Sequence, residues 1–349
     1  MSGKSETDAT PSGPPYFSKL APLSPNRRVD PRPSPFIAKD VTDNLDDKAT
    51  EDLRFKEPTH YNLDEFEYDR NGNNPGKLII FNHQVYDNEK IKERFGTKRD
   101  VNEIIICFQR LGFNVSEDDV VTDATIEQVR AKLDSVLKDE QTLFQSNCLV
   151  VFFLTHGDVK DKLCVKDGEI KCSDVWMKFN DCKQLEGKPK LFVFQACKGK
   201  QFASVDQPES TFNQHSPVLL DLDTSFSVND LGPDMLLLYS TLEDYVSFRN
   251  PLTGTWFIQE LCKNFSSYGR RDDVISLITR TTKCVSNSYF VMHEDDKTVL
   301  KQMPIYVSTL SRKFYLNRNK DRHLLLEMNR KQDEIHQMLE ELMIYIRRK

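Results

Sequence analysis

Residues 190–199 read KLFVFQACKG, and within this stretch a run of apolar residues changes abruptly into a polar loop. A nearly continuous apolar run of this length is typical of a strand that is covered on both faces of a sheet. Cys197 then lies just beyond the carboxyl end of the strand, where open α/β sheets bind their ligands. An isolated cysteine at such a place is more often a small buried side chain, so a second residue is needed to indicate chemistry.

A second stretch has the same form: residues 149–158 read LVVFFLTHGD, in which an apolar run leads to His156 and Gly157. If the two strands are parallel neighbours, His156 and Cys197 emerge at one edge of the sheet. An imidazole there can take the thiol proton and return it to a leaving amine. The backbone amides of Gly157 and Cys197 could form a two-donor oxyanion hole. The pattern predicts acyl transfer with Cys197 as nucleophile and His156 as its catalytic partner.

Further apolar runs complete the pattern of an α/β domain. Strands are predicted at residues 78–81, 149–155, 191–195, 235–239 and 305–309. Segments with helical spacing follow Thr97, with Asp100 as a capping partner, and also Thr125 and Asp272, and another contains Trp256. Short apolar runs that alternate with amphipathic segments predict a mostly parallel sheet covered by helices.

Composition narrows the classes of function. The chain has 349 residues, with 48 basic and 54 acidic side chains and a formal net charge of -6, which does not indicate a nucleic-acid-binding surface. Its eight cysteines include no CxxC pair, so reduced thiols and no metal site are expected. The start MSGKSETDATPSGPP does not resemble a signal peptide, and no apolar run reaches membrane-spanning length. A cytoplasmic protein without membrane contact is therefore expected.

Three segments fall outside the α/β pattern. Half of the 16 prolines precede residue 36, so residues 1–50 are predicted to be disordered. Residues 199–233 form a long polar stretch between two predicted strands, which indicates a functional loop. In the tail, residues 319–349, apolar side chains recur at spacings of three and four. This spacing fits either a coiled coil or an amphipathic helix lying on its own domain.

The segment Gln195-Ala196-Cys197-Lys198-Gly199 resembles the signature of the caspase family, in which a histidine lies upstream of the cysteine. Three further segments resemble caspases in the family's order: residues 94–100 (RFGTKRD), 246–250 (VSFRN) and 254–259 (GTWFIQ). The resemblance covers residues 77–316. It implies a caspase-like three-layer sandwich, in which helices flank a central, mostly parallel six-stranded sheet. It also implies a cysteine endopeptidase that cuts proteins after aspartate and acts in apoptosis.

The resemblance further implies a pocket for the aspartate that precedes the cut bond, formed by Arg94, Gln195 and Arg249. Two guanidinium groups and one amide offer several forked donors to a short carboxylate, which agrees with that role. Phe248 and Trp256 are implied to line the neighbouring apolar subsites.

Some residues depart from the family pattern and motivate an alternative. Lys198 stands where caspases usually have arginine. Val246 and Phe248 stand where executioner members usually have tyrosine and tryptophan. In the alternative, the chain is a catalytically weak homologue that regulates an active caspase by binding it.

Caspases are made as zymogens, and the resemblance assigns a part to each segment of the chain. Residues 1–50 correspond to a short prodomain of the executioner type, 51–205 to the large subunit, 206–233 to the linker between subunits, and 234–318 to the small subunit. Candidate processing sites are Asp206, Asp223, Asp230, Asp40 and Asp46. Asp223 is preferred in the linker because the small residue Thr224 follows it.

The implied partners are all proteins, and no cofactor is implied. They are substrates with an exposed aspartate, a second large and small subunit pair in a homodimer, an upstream activating caspase, and inhibitor-of-apoptosis proteins. The homodimer is expected to join along the strand at residues 305–309.

Overall fold

The computed structural model describes residues 66–70, 72, 74–199, 201, 203–204, 230–292 and 299–317, together with 331–332, 334–339 and 343 in the tail. The predicted disordered segment 1–50 lies outside these residues, as do Asp40, Asp46, Asp206 and Asp223. Most of the predicted tail also lies outside them. The tail residues that are described are helical and exposed.

Strands and helices alternate along the described chain. The strands are β1 (Lys77–Asn82), β2 (Val120–Thr122), β3 (Leu149–Leu154), β4 (Gly157–Asp158), β5 (Lys162–Val165), β6 (Gly168–Lys171), β7 (Lys190–Gln195), β8 (Ala203–Ser204), β9 (Met235–Tyr239), β10 (Arg249–Asn250), β11 (Gly254–Thr255), β12 (Val291–Met292), β13 (Val299–Lys301) and β14 (Ile305–Ser308). The α-helices are α1 (Thr97–Arg110), α2 (Ile126–Lys138), α3 (Glu140–Gln145), α4 (Cys172–Trp176), α5 (Trp256–Tyr268) and α6 (Val274–Ser288). Among the described residues, every helix is too short or too polar to cross a membrane.

The predicted fold is confirmed by the central sheet, whose six strands lie in the order β14-β9-β7-β3-β1-β2. All neighbouring strands are parallel except β14, which runs antiparallel to β9. The central strands are apolar on both faces because each face is covered by helices. Residues 150, 152 and 154 of β3 pack with α1, α5 and α6, whereas residues 149, 151 and 153 pack with α2, α3 and α4.

One strand of this sheet was not predicted. The strand β2 has only three residues, none of which is fully buried. A run this short has neither the length nor the burial that makes a strand visible in sequence. The strand forms because Val120, Val121 and Thr122 pair with the buried strand β1.

The predicted cap of the first helix is wrong. Gly96, with a φ of 87°, precedes α1, and no side chain caps the helix there. Thr97 is instead a buried first-turn residue whose hydroxyl donates to Asn82 Oδ1 at 2.5 Å. Asp100 accepts the backbone N–H of Thr255 at 2.8 Å, so both polar side chains are used for tertiary contacts.

The other two predicted caps come closer to the structure. Thr125 accepts the backbone N–H of Gln128 at 3.2 Å, and the Gln128 side chain accepts the Thr125 N–H at 2.9 Å, which forms a capping box at α2. The helix α6 is capped by Asp273, one residue later than predicted. Its carboxylate accepts the N–H of Ser276 at 3.2 Å.

Candidate active site

The carboxyl ends of β3 and β7 bring the two predicted catalytic residues to one edge of the sheet. The last paired residues of these strands are Leu154 and Gln195, so His156 and Cys197 each follow two residues beyond a paired position. The two loops are in close contact, because a β-carbon added at Gly157 would lie only 2.4 Å from the Cys197 carbonyl oxygen. This position therefore tolerates only glycine, and the Gly157 and Cys197 backbones lie side by side.

The ring of His156 is held by the loop that follows β1. Its Nε2 lies 2.8 Å from the carbonyl oxygen of Lys92. A carbonyl can only accept, so Nε2 carries the hydrogen and the lone pair is on Nδ1. Sequence patterns cannot reveal this partner because the contact uses the main chain of Lys92.

A buried chain of hydroxyl groups supports the backbone beside His156. The Tyr86 hydroxyl accepts the His156 N–H at 3.2 Å and lies 2.9 Å from the Thr155 hydroxyl. The Thr155 hydroxyl in turn donates to the Cys164 carbonyl at 2.5 Å. The rings of Tyr86 and His156 also lie 5.4 Å apart. Tyr86 is thus a supporting residue that the sequence did not single out.

The thiol of Cys197 is half-buried and contacts the backbone of Ser247. Its Sγ accepts the Ser247 N–H at 3.3 Å and lies 3.7 Å from the Ser247 carbonyl. An N–H that points at sulfur stabilises the thiolate form. The Ser247 hydroxyl also accepts a hydrogen bond of 2.7 Å from Gln195 Nε2. Ser247 therefore joins the predicted nucleophile to the predicted pocket.

Lys198 is buried next to the nucleophile and is neutralised by two acids. Its Nζ lies 2.7 Å from Asp161 and 2.8 Å from Glu243. It also lies 4.0 Å from the centre of the Tyr239 ring, a cation–π distance. Burial opposes the charge, but the two carboxylates outweigh it and the pKa of Lys198 is raised. Lysine at this position thus keeps a charged and stacked role although it lacks the guanidinium fork.

The three residues predicted to bind aspartate are placed by different elements. Arg94 is 1% exposed in the loop before α1, and it donates to the His83 carbonyl at 2.8 Å and to the Thr97 hydroxyl at 3.0 Å. Gln195 ends β7, and Arg249 begins β10. The first turn of α1 contacts Arg94 through Thr97, and it contacts the hairpin of Arg249 through Asp100, which accepts the Thr255 N–H.

The two predicted subsite aromatics stack on each other. The ring centroids of Phe248 and Trp256 lie 4.7 Å apart, and the ring centroids of Trp256 and Tyr289 lie 5.3 Å apart. Phe248 is only 3% exposed, so it supports Trp256 and offers little surface of its own. Its backbone N–H donates to Gln302 Oε1 at 2.8 Å.

Of the predicted processing sites, only Asp230 lies within the described residues. It is exposed and lies shortly before β9. Its carbonyl accepts a hydrogen bond of 2.8 Å from the Asn180 side chain.

His83 is a buried histidine whose backbone carbonyl accepts the hydrogen bond from Arg94. It is 0% exposed, and neither ring nitrogen has a hydrogen-bond partner among the described residues. Its ring stacks on Phe153 at 5.2 Å. Burial, aided by the charge of Arg94, lowers the pKa of His83 to about 4.

His83→Phe is expected to make the protein more resistant to acid. The pKa of His83 is about 4 in the folded state and near 6.5 in the unfolded state, because burial opposes protonation of the ring. The neutral ring therefore contributes its full stability above pH 6.5, and this stability is lost as the pH falls from 6.5 through about 4. Between pH 7 and pH 4 the wild type should lose about 3 kcal/mol more than the variant. Urea unfolding at both pH values measures this difference. An equal loss in both proteins contradicts the assignment.

The comparisons with known proteins agree with the fold. The family model described as "Caspase domain" matches residues 75–315. Caspase drICE of Drosophila melanogaster is 30% identical over 251 residues, which cover 70% of this chain and 71% of that protein. Caspase-7 of Gallus gallus is 29% identical over 257 residues, which cover 72% and 80%. The crystal structure of caspase-1 from Spodoptera frugiperda matches with a TM-score of 0.63 and 28% identity, covering 76% of this chain and 98% of that one.

A three-layer α/β fold with a cysteine and a histidine at neighbouring strand ends is that of a cysteine peptidase. The chain belongs to the caspase domain family, because the family model covers more than half of it. Residues beyond 315, which include the predicted helical tail, lie outside the matched domain.

Proposed function

We propose that this chain is an aspartate-specific cysteine endopeptidase of apoptosis, made as a zymogen and acting in the cytoplasm. The observation that carries the proposal is that His156 and Cys197 follow neighbouring parallel strands, with the Gly157 and Cys197 backbones side by side. Membership of the caspase domain family supports it.

The geometry supports a specific order of proton transfers. With Nε2 of His156 bonded to the Lys92 carbonyl, Nδ1 is the atom that can accept a proton. The thiolate of Cys197 attacks the substrate carbonyl carbon, and the backbone N–H groups of Gly157 and Cys197 stabilise the resulting oxyanion. The protonated imidazole then gives its proton to the leaving amine. In the second half of the reaction, His156 takes a proton from a water molecule as that water attacks the thioester carbonyl carbon. The bond to sulfur then breaks, which releases the acid product and restores Cys197.

The proposed specificity for aspartate depends on the positive charge of the pocket and on the length of the substrate side chain. Arg94 and Arg249 supply two buried or half-buried positive charges, and Gln195 supplies an amide. A substrate without a carboxylate at this position cannot form the charge-assisted hydrogen bonds with the two arginines, which costs about 10³-fold in rate. A longer acid fits less well because the donors are fixed by Ser247 and α1.

Assembly and activation are proposed from the family and from the exposed sheet edge. The strand β14 lies at the edge of the central sheet, and its side chains alternate between half-buried and exposed. An edge strand of this kind can pair with a second copy, which supports a homodimer of large and small subunit pairs. Cleavage after aspartates in segment 206–233 by an upstream caspase is proposed to activate the chain. Inhibitor-of-apoptosis proteins are proposed to bind the active form.

Labelling with an aspartyl electrophile tests the proposed enzyme. We expect a peptide aldehyde or chloromethyl ketone ending in aspartate to modify the purified wild type once, at Cys197, as measured by mass spectrometry of the peptides. Cys197→Ala should lose the label completely. Cys284→Ala is a matched control, since Cys284 is half-buried like Cys197 and should leave the labelling unchanged.

The outcomes separate the two functions. Labelling that requires Cys197 supports the endopeptidase. No labelling at Cys197 in a folded protein contradicts it and favours a homologue that acts by binding an active caspase.

A further inference from the structure

Asp100 is a buried carboxylate that the proposed mechanism does not use. It lies in the first turn of α1 and is 1% exposed. Its Oδ1 accepts the backbone N–H of Thr255 at 2.8 Å. Its Oδ2 is buried and has no hydrogen-bond partner among the described residues. A buried carboxylate oxygen without a donor is costly, so its surroundings need an explanation.

The turn that leads to Thr255 is fitted around Asp100. Gly254 has a φ of 98°, and a β-carbon added there would lie 2.4 Å from Asp100 Oδ1. In the hairpin of β10 and β11, Thr255 pairs with Arg249. Asp100 therefore fixes the hairpin that carries one pocket arginine. The other, Arg94, lies six residues earlier on the segment that leads into α1.

The charges around Asp100 are mostly those of the pocket. Burial raises the pKa of Asp100 to about 6, against the Thr255 hydrogen bond and the positive charges of Arg94 and Arg249. The remaining charged or titratable groups near it are Arg99, Glu103 and Cys262. Cys262 is buried on α5, and its raised pKa keeps it neutral. Arg94 bonds to Thr97, one helical turn before Asp100, and Arg249 pairs with Thr255, which bonds to Asp100. Asp100 is thus a buried anion in contact with the segments that carry both arginines.

We propose that Asp100 is the internal counter-anion of Arg94 and Arg249, and that the aspartate side chain of a substrate competes with it for the same two positive charges. The inference rests on the proposed function, since it requires these arginines to bind the substrate. It makes Asp100 a positioning and specificity residue that does not react itself.

Competition between two carboxylates has a measurable consequence. Two like charges that share one site favour protonation of one of them. Binding of the substrate carboxylate therefore favours the protonated form of Asp100, and protonation of Asp100 strengthens substrate binding by the same factor. A coupling of one pKa unit corresponds to a tenfold change in affinity. Affinity for aspartate should rise as the pH falls from 7.5 towards 5.5, where the substrate carboxylate is still ionised.

Asp100→Asn separates charge from hydrogen bonding. The asparagine oxygen can still accept the Thr255 N–H, while the negative charge is removed. Asp100→Asn is made in the full chain together with Cys197→Ala and is compared with Cys197→Ala alone, so that a fluorescent peptide with an internal aspartate binds without being cut. We expect Asp100→Asn to bind this peptide about five- to tenfold more tightly at pH 7.5 and less than about twofold more tightly at pH 5.5. Fluorescence anisotropy measures both dissociation constants.

Glu103→Gln is the matched control. It removes one negative charge from the same helix, one turn along, but Glu103 is exposed. It should change the affinity by less than about twofold at either pH, because exposed charges are screened. If Asp100 had only a structural role, Asp100→Asn would change the free energy of unfolding but would not give a gain in peptide affinity that depends on pH.

Three results overturn the inference. The first is weaker or unchanged peptide binding by folded Asp100→Asn at pH 7.5. The second is a gain that does not depend on pH. If Asp100→Asn does not fold, calorimetry of the Cys197→Ala protein in two buffers at pH 6.5 decides instead: proton uptake on binding the aspartyl peptide, and not its asparagine analogue, supports the inference, and equal uptake contradicts it.

Different results would contradict the proposed function and the role of Asp100. If the Cys197→Ala protein does not bind the aspartyl peptide at any pH, and the wild type is not labelled at Cys197, the proposed function itself is wrong. If the peptide binds but Asp100→Asn shows no gain, only the role of Asp100 is wrong.

Discussion

His156→Asn is expected to lower kcat/KM for an aspartyl peptide by about 10⁴-fold. The variant loses the group that accepts the thiol proton and returns it to the leaving amine. Asparagine is similar in size and can still donate a hydrogen bond to the Lys92 carbonyl, so the loop that holds the ring should keep its position. The loss should fall on kcat, since the proposed substrate pocket is unchanged. Steady-state kinetics on a fluorogenic aspartyl peptide measure it.

Lys92→Ala is the control for this prediction. Only the backbone carbonyl of Lys92 contacts His156, and the lysine side chain is exposed. This variant should retain kcat and KM within about twofold, as is usual for surface substitutions. A His156→Asn protein that keeps more than a tenth of wild-type activity is incompatible with the proposed proton transfers.

The second large effect concerns recognition of the substrate. Arg249→Ala should lower kcat/KM for a peptide with aspartate before the cut bond by about 10³-fold. It removes one of the two charges that are proposed to face the carboxylate and leaves only Arg94. The already slow cleavage of the matching asparagine peptide should change much less. The ratio of the two kcat/KM values therefore measures the effect on specificity.

Arg270→Ala provides the comparison on the surface. Arg270 is exposed, and its guanidinium donates to the Arg110 carbonyl at 2.7 Å. Its loss should leave both peptides unaffected. If Arg249→Ala still prefers aspartate over asparagine to the wild-type degree, Arg249 is not part of the aspartate pocket.

Local sequence was sufficient to predict the architecture. The apolar runs that became β1, β3, β7, β9 and β14 each carry a strand signal of their own, and the central sheet confirms all five. The strand-end positions of His156 and Cys197 followed from those runs, because residues two places beyond paired strands share an edge. The caspase resemblance rested on short contiguous segments and is confirmed by the family match. The predictions for residues 1–50, for Asp206 and Asp223, and for the coiled coil of the tail stay predictions.

Other features were decided only by tertiary structure. The Lys92 carbonyl and the Ser247 backbone contact the proposed catalytic residues through main-chain atoms, and main-chain atoms are the same in every sequence. Thr97 and Asp100 have the residue types of a helix cap, but a buried side chain bonds to whatever the fold places beside it. Asn82 and Thr255 lie there, 15 and 155 residues away in the chain.

The sequence by itself thus determined the layers of this protein and the edge at which its chemistry is placed, because strand and helix periodicity is a local property. The tertiary structure alone decided which groups orient His156, which backbone faces the Cys197 thiol, and which buried acid bonds to the hairpin that carries Arg249. Those contacts join segments that are distant in the chain, and their energies depend on burial that only the folded chain creates.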